Sequence, residues 1–310
     1  MQKNITVFGP GLMGSGISQL FASKGFKVTI CARDSIEESY ALESIKSNIK
    51  ILIENGAEQP DLLEKTLGNI TITRDRKQAV RDAYIVFECI PENMELKQDL
   101  FYELDCISSE ETILATNTSV MSVTEIGARA KHKSRIIGTH FWNPPFLIPL
   151  VEVVKTAHVS DAVVQNTVDL LVQAGKHPVI CKKDVPGFVA NRLQHALWRE
   201  AIAIIEQGIA DPETVDEAIK YSFGIRLPVL GPIENADMIG LDLTLSIHDY
   251  IFKYLDSSTE PSMLLKDKVK KGELGFKTGK GFREWTAEEM QSSRKRLLEY
   301  LIKATKGLSN

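Results

Sequence analysis

The chain has 310 residues, 43% of them hydrophobic and 25% charged, with a formal net charge of −4. This length allows one large domain or two ordinary ones, and the composition is that of a globular protein. The charge argues against nucleic acid as a partner, and no apolar run reaches the ~18 residues of a membrane span. Met1-Gln2-Lys3-Asn4 leads straight into a strand pattern, so no signal peptide is expected. Cys31, Cys89, Cys106 and Cys181 are scattered without CxxC spacing. The expectation is a cytoplasmic chain with free thiols, no disulfide framework and no metal site.

Ile5–Phe8 reads as a buried strand, followed by Gly9-Pro10-Gly11-Leu12-Met13-Gly14 and a helical pattern through Ile17, Leu20 and Phe21. Strand, glycine turn and helix in that order form the dinucleotide-binding fingerprint. Gly9 permits the tight turn, Gly11 lets a pyrophosphate near the backbone, and Gly14 lets helix and strand pack closely. The helix N-terminus, with Leu12 and Met13 in its first turn, offers N–H groups to the phosphates. Lys27–Cys31 is a second strand, and Ser35 to about Asn55 a helix with Ile45, Ile49, Leu52 and Ile53 on one face. Strand signals recur at 70–73, 84–90, 113–116, 135–141, 150–154 and 177–181, with helical faces at 94–105 and 161–175. Repeated βαβ units imply a Rossmann-type α/β fold, a doubly wound, mostly parallel sheet.

The pattern changes at Asp184-Val185-Pro186-Gly187, beyond which the strand signals stop. Leu193–Gln207, Asp211–Phe223, Ile239–Leu255 and Ser262–Lys271 are helical in composition. Thr286-Ala287-Glu288-Glu289 is a capping-box signature that opens a last, charged helix. The expected division is a nucleotide-binding domain over 1–185 and an all-helical domain over 186–310.

The block Gly138-Thr139-His140-Phe141-Trp142-Asn143-Pro144-Pro145 precedes Leu150-Val151-Glu152-Val153-Val154. A turn centred near Phe146 runs the two strands back past each other and sets His140 opposite Glu152. A carboxylate beside an imidazole fixes its tautomer and raises its basicity, as a general base for a hydroxyl proton requires. A core histidine with a solvent-facing glutamate is the alternative.

The chain resembles the L-3-hydroxyacyl-CoA dehydrogenases and their relatives over nearly its whole length. The resemblance rests on the glycine turn, Glu88-Cys89-Ile90-Pro91-Glu92-Asn93 with Lys97, and Ala115-Thr116-Asn117-Thr118-Ser119. It also rests on the His140 block with Glu152, Asp184–Leu193, and Gly275–Phe282. It implies a Rossmann domain, a helical domain that forms a homodimer, and NAD as cofactor. It makes His140 the general base, Glu152 its partner, and Ser119 and Asn191 the holders of the reacting oxygen and substrate. Glu92 and Lys97 match positions lining the cofactor. Asn117 is assigned either to the cofactor or to closing its own turn, and Asn143 to the substrate.

The chain departs from that pattern in two places. The ribose-binding acid of the second strand falls on Ala32, leaving Arg33 and Asp34 as adenosine-side candidates; Arg33 keeps NADP open beside NAD. Ile51–Asp61 contains no Lys or Arg where acyl-CoA enzymes carry basic residues, and the catalytic block carries Trp142 and a second proline, Pro145. The resemblance therefore implies oxidation of an L-3-hydroxyacyl-CoA, placing the chain in fatty acid metabolism. The alternative is the same chemistry on a small free hydroxy acid or alcohol, of the gulonate, carnitine or pyridoxine-catabolite type. Arg226 and Arg192 are then candidates to hold a free carboxylate.

Overall fold

The computed structural model describes residues 3–306. Strands β1 (Asn4–Phe8), β2 (Val28–Cys31), β3 (Ile70–Thr73), β4 (Ala83–Glu88), β5 (Ile113–Thr116), β6 (Ile136–Phe141), β7 (Leu150–Val154) and β8 (His177–Cys181) form one sheet in the order β3-β2-β1-β4-β5-β6-β7-β8. All neighbours are parallel except β6 and β7. The order reverses direction between β1 and β4, which opens a crevice beyond the carboxyl ends of those strands.

Alternation along each strand supplies two apolar layers, because successive side chains leave opposite faces. Ile5, Val7, Ile85 and Phe87 join a layer with α1 (Leu12–Ser23), α2 (Ser35–Glu54) and, across the sheet, α7 (Asp161–Gln173). Phe8, Val86, Leu114 and Ile136 join the opposite layer with α4 (Arg76–Val80), α5 (Met94–Ile107) and α6 (Val123–Ile126). The short α3 (Leu62–Leu67) packs beside α1 and α2. Helices α3, α4 and α6 escape the sequence reading because four to six residues are too few to display a 3.6 period.

The chain forms two compact units, which differ from the expected split at 185/186. The first holds the residues through Asn191 together with the described residues from Arg296 onward, and the second is Arg192–Lys295. The division falls inside α8 (Ala190–Glu206). The late residues of α13 (Ala287–Lys306) join the first unit because Ile302 is buried against Leu52 and Leu147, with Leu298 and Leu301 beside it.

The second unit contains α9 (Pro212–Lys220), α10 (Pro232–Ile239), α11 (Leu241–Ile251) and α12 (Met263–Lys270), and no strand among the described residues. The helix expected over Ile239–Leu255 is α11, which begins two residues later because Gly240, at φ +98°, ends α10, a helix the sequence does not announce. The capping box is formed: Thr286 N donates to Glu289 Oε2 at 2.8 Å, and Glu289 N donates to Thr286 Oγ1 at 3.2 Å.

Candidate active site

The glycine turn after β1 meets three separate demands. Gly9 has φ +80°, and a Cβ there would stand 2.7 Å from the Cys89 carbonyl oxygen. A Cβ on Gly14 would stand 2.2 Å from the Gly9 oxygen. Gly11 has no protein atom within 4 Å of its Cβ position, so the fold itself does not exclude a side chain there. What a side chain at Gly11 would block is approach to the start of α1, where no side chain caps the helix and Leu12 and Met13 form the first turn. A diphosphate fits this cradle, with backbone N–H groups and the positive helix end directed at it.

Downstream of the turn, a cavity of about 310 Å³ opens over the ends of β1 and β2, between Gly9, Ala32, Ile90 and Leu96. Its rim includes Arg33 and Glu37. Asp34, expected there from the sequence, is instead the N-cap of α2 and does not line the cavity. Its Oδ1 accepts from Ile36 N at 3.0 Å and Glu37 N at 2.9 Å, and these bonds, that of Glu37 first, hold its carboxyl below the usual range. Arg33 is exposed and is paired at 3.3 Å with both Asp34 and Glu37.

At the end of β6, His140 pairs directly across with Glu152 on β7, the register the turn centre implies. His140 Nδ1 lies 2.8 Å from Glu152 Oε2, and both side chains are buried. The other carboxylate oxygen, Oε1, accepts from Val189 N at 2.9 Å and Ala190 N at 3.0 Å, at the start of α8. Burial raises the Glu152 carboxyl, but the His140 bond and the two backbone N–H bonds outweigh it, and the group sits below its ordinary value. The turn that aims those N–H groups contains Gly187 at φ +75° and Phe188 at φ +49°. A Phe in the left-handed region is strained. It is buried, and its ring centroid lies 5.7 Å from that of His140, with Trp142 at 5.5 Å. The imidazole is thus flanked by aromatic rings and anchored through Nδ1, which leaves Nε2 as its free nitrogen.

A second buried network lies at the ends of β4 and β5. Glu88 and Lys97 are fully buried and meet at 2.7 Å. Glu88 also accepts from Thr116 Oγ1 at 2.6 Å and Ile90 N at 2.7 Å, while burial raises its carboxyl against these favourable contacts. Lys97 reaches on to Glu92 Oε2 at 3.1 Å. Glu92 Oε1 accepts from Thr118 Oγ1 at 2.5 Å and Ser119 N at 2.9 Å. The Ser119 carbonyl accepts from Asn191 Nδ2 at 3.1 Å. Both backbone groups of Ser119 are therefore fixed. Asn117 ties this loop to β6 by accepting from Phe141 N at 2.9 Å.

Three contributors escape the sequence reading. Glu88 is legible only as a carboxylate closing an apolar strand nine residues before a lysine. Glu37 and the α8 N–H groups carry no local signal. Two proposed substrate residues make none of the hydrogen bonds described above. Asn143 is exposed in the turn after β6, and Arg226 is exposed in the second unit, at the end of a 3₁₀ turn over Phe223–Ile225. Arg192 is also exposed.

A doubly wound sheet with a phosphate cradle at its switch point and an anchored imidazole on a neighbouring strand defines an NAD-binding oxidoreductase. The 3-hydroxyacyl-CoA dehydrogenase NAD binding domain matches residues 4–185, and the 3-hydroxyacyl-CoA dehydrogenase C-terminal domain matches residues 187–285. The chain is 38% identical over 284 residues to a probable 3-hydroxybutyryl-CoA dehydrogenase of Bacillus subtilis, covering 91% of this chain and 97% of that protein. It is 32% identical over 303 residues to 5-formyl-3-hydroxy-2-methylpyridine 4-carboxylate 5-dehydrogenase of Mesorhizobium japonicum, covering 96% of both. The crystal structure of an enzyme so described, an NAD⁺-dependent dismutase, superposes with a TM-score of 0.91 at 30% identity, over 100% of this chain and 99% of that one. That of (S)-3-hydroxybutyryl-CoA dehydrogenase PaaH1 from Ralstonia eutropha gives 0.78 at 31% identity, over 92% of this chain and 100% of that one.

The chain belongs to the 3-hydroxyacyl-CoA dehydrogenase family. It is an NAD-dependent dehydrogenase acting on a CH–OH group. Among the described residues, no helix is long and apolar enough to cross a membrane.

Proposed function

We propose that the chain oxidises the 3-hydroxyl of an L-3-hydroxyacyl-CoA to the 3-ketone, with His140 as general base. The observation that carries the chemistry is the 2.8 Å contact between His140 Nδ1 and Glu152. With Nδ1–H donated to a carboxylate, Nε2 holds the lone pair that takes the hydroxyl proton, and Glu152 stabilises the imidazolium that forms. Bound NAD supplies the hydride acceptor. Ser119 and Asn191 offer donors to the reacting oxygen as it becomes a ketone, an effect worth ~3 kcal/mol for one well-placed donor. The Glu88–Lys97–Glu92 network supports this reading by fixing the loop that carries Ser119.

The acyl-CoA substrate rests on the family and on the relative at 38% identity. A second reading, a small free hydroxy acid or alcohol, is favoured by one comparison. At 30% identity against 31%, the pyridine-carboxylate enzyme superposes over the whole chain with the higher TM-score. NAD reduction should be followed with 3-hydroxybutyryl-CoA, free 3-hydroxybutyrate, carnitine, gulonate and 5-formyl-3-hydroxy-2-methylpyridine 4-carboxylate. Turnover of the thioester supports the first reading, and turnover of a free acid alone replaces it with the second.

We also infer a homodimer through the second unit. No residue of α10, α11 or α12 is buried, and Leu241, Leu243 and Leu245 are 63%, 50% and 62% exposed. Apolar faces of this extent are covered by a partner in stable assemblies.

A further inference from the structure

The strand-end position after β2 is decisive for which nicotinamide dinucleotide a Rossmann fold takes. About twenty residues beyond the glycine turn, an acid receives the adenosine ribose diol in NAD enzymes, whereas an arginine accommodates the 2′-phosphate of NADP. Here β2 runs out into Ala32, a buried methyl that accepts nothing. Asp34 is occupied as the cap of α2 and stands outside the cavity. Arg33, with 79% of its side chain exposed, is the residue a sequence reader would assign to a 2′-phosphate.

The structure places a different acid at the cavity rim. Glu37, in the first turn of α2, folds back so that its Oε2 accepts from Arg33 N at 2.8 Å, over the end of β2. Its Oε1 stands 3.3 Å from the Arg33 guanidinium. A carboxylate has about four lone-pair sites, so these two contacts leave acceptors for two hydroxyl groups. Arg33 is meanwhile held between Glu37 and Asp34. The other lining cation, Arg76, is paired with Glu103. The described lining carries three carboxylates (Glu37, Asp99 and Glu103) and two guanidiniums, each already engaged, and Asp99 is itself paired with Arg129 outside the lining. A 2′-phosphate, with a charge of about −1.5 to −2, would meet the Glu37 carboxylate and find both lining guanidiniums already paired.

We propose that Glu37 selects NAD over NADP in this chain: its carboxylate receives the adenosine ribose diol and holds Arg33 away from the place a 2′-phosphate would take. The selecting acid thus comes from the helix rather than from the strand end.

Calorimetric titration of the purified protein with NAD⁺ and with NADP⁺, without substrate, tests this independently of what the enzyme oxidises. The unsubstituted chain should bind NAD⁺ more tightly. Glu37→Gln should weaken NAD⁺ by roughly tenfold, the scale of a lost charge-assisted hydrogen bond. It should also strengthen NADP⁺ by about as much, because the released guanidinium can pair with phosphate. Adding Arg33→Ala to Glu37→Gln should cancel the NADP⁺ gain without restoring NAD⁺. The proposal is overturned if Glu37→Gln leaves both dissociation constants unchanged, or if the unsubstituted chain binds NADP⁺ as tightly as NAD⁺. Should Glu37→Gln fail to fold, Arg33→Ala alone decides. Unchanged binding of both dinucleotides supports the proposal, and a loss confined to NADP⁺ overturns it.

Discussion

In the sheet-bearing unit, Ile5, Val7, Ile85 and Phe87 are wholly sealed from solvent, whereas in Arg192–Lys295 Val229 is 86% exposed and Ile233 76%. Among the described residues of the second unit, only Ala203 and Val215 count as buried hydrophobics. A sheet with helices on both faces gives each apolar strand residue a cover from its own chain. The helices α10 to α12 have no such second layer. The polar groups differ in the same way. His140, Glu152, Glu88 and Lys97 are buried and mutually bonded, while the second unit's ion pairs, such as Arg283 with Glu213, lie at the surface. The comparison teaches how each unit disposes of its apolar side chains: the first covers them with its own chain, and the second leaves many of them exposed.

The largest test of that contrast is His140→Gln. Turnover should fall by roughly 10²-fold or more, the scale of a general base, while NAD binding by titration stays intact. Unchanged turnover would remove the base from the first unit and the mechanism with it. Next in size is Glu88→Ala, which leaves the Lys97 ammonium buried without its nearest carboxylate. A broken buried pair costs about 3–5 kcal/mol, so thermal unfolding should shift down sharply. A shift no larger than that of a surface pair would mean this network is solvated and the first unit is less tightly paired than its burial indicates. Smaller again is Leu245→Glu on α11. Sedimentation should show a dimer for the unsubstituted chain and a weakened one for the variant, with thermal stability of the sheet-bearing unit little changed. A monomeric mass for the unsubstituted chain at micromolar concentration would leave the exposed face of α11 without the partner proposed for it.

Much of the first unit was legible because its signals are local. Strand bounds at Ile70–Thr73, Ile113–Thr116, Leu150–Val154 and His177–Cys181 agree with the sequence reading residue for residue. The His140–Glu152 register followed from the midpoint of the connecting turn alone. The helical unit was less legible. Periodicity does not report the φ of +98° at Gly240 that separates α11 from the unforeseen α10. The adenosine side misled for a related reason. Asp34 carries both an N-cap signature and the position of a ribose acid, and only the α2 N–H groups decide between them.

The sequence by itself determined the alternation of strands and helices, the glycine cradle and the facing of His140 with Glu152, since each depends on residues within one turn or one hairpin. Tertiary structure alone decided which N–H groups hold Glu152, which acid stands over the end of β2, and that Glu88 lies beneath Lys97. Val189 is 37 residues from Glu152, and Ser119 is 27 from Glu92. Pairings at such separations arise from the order of strands in the sheet, which no local period encodes.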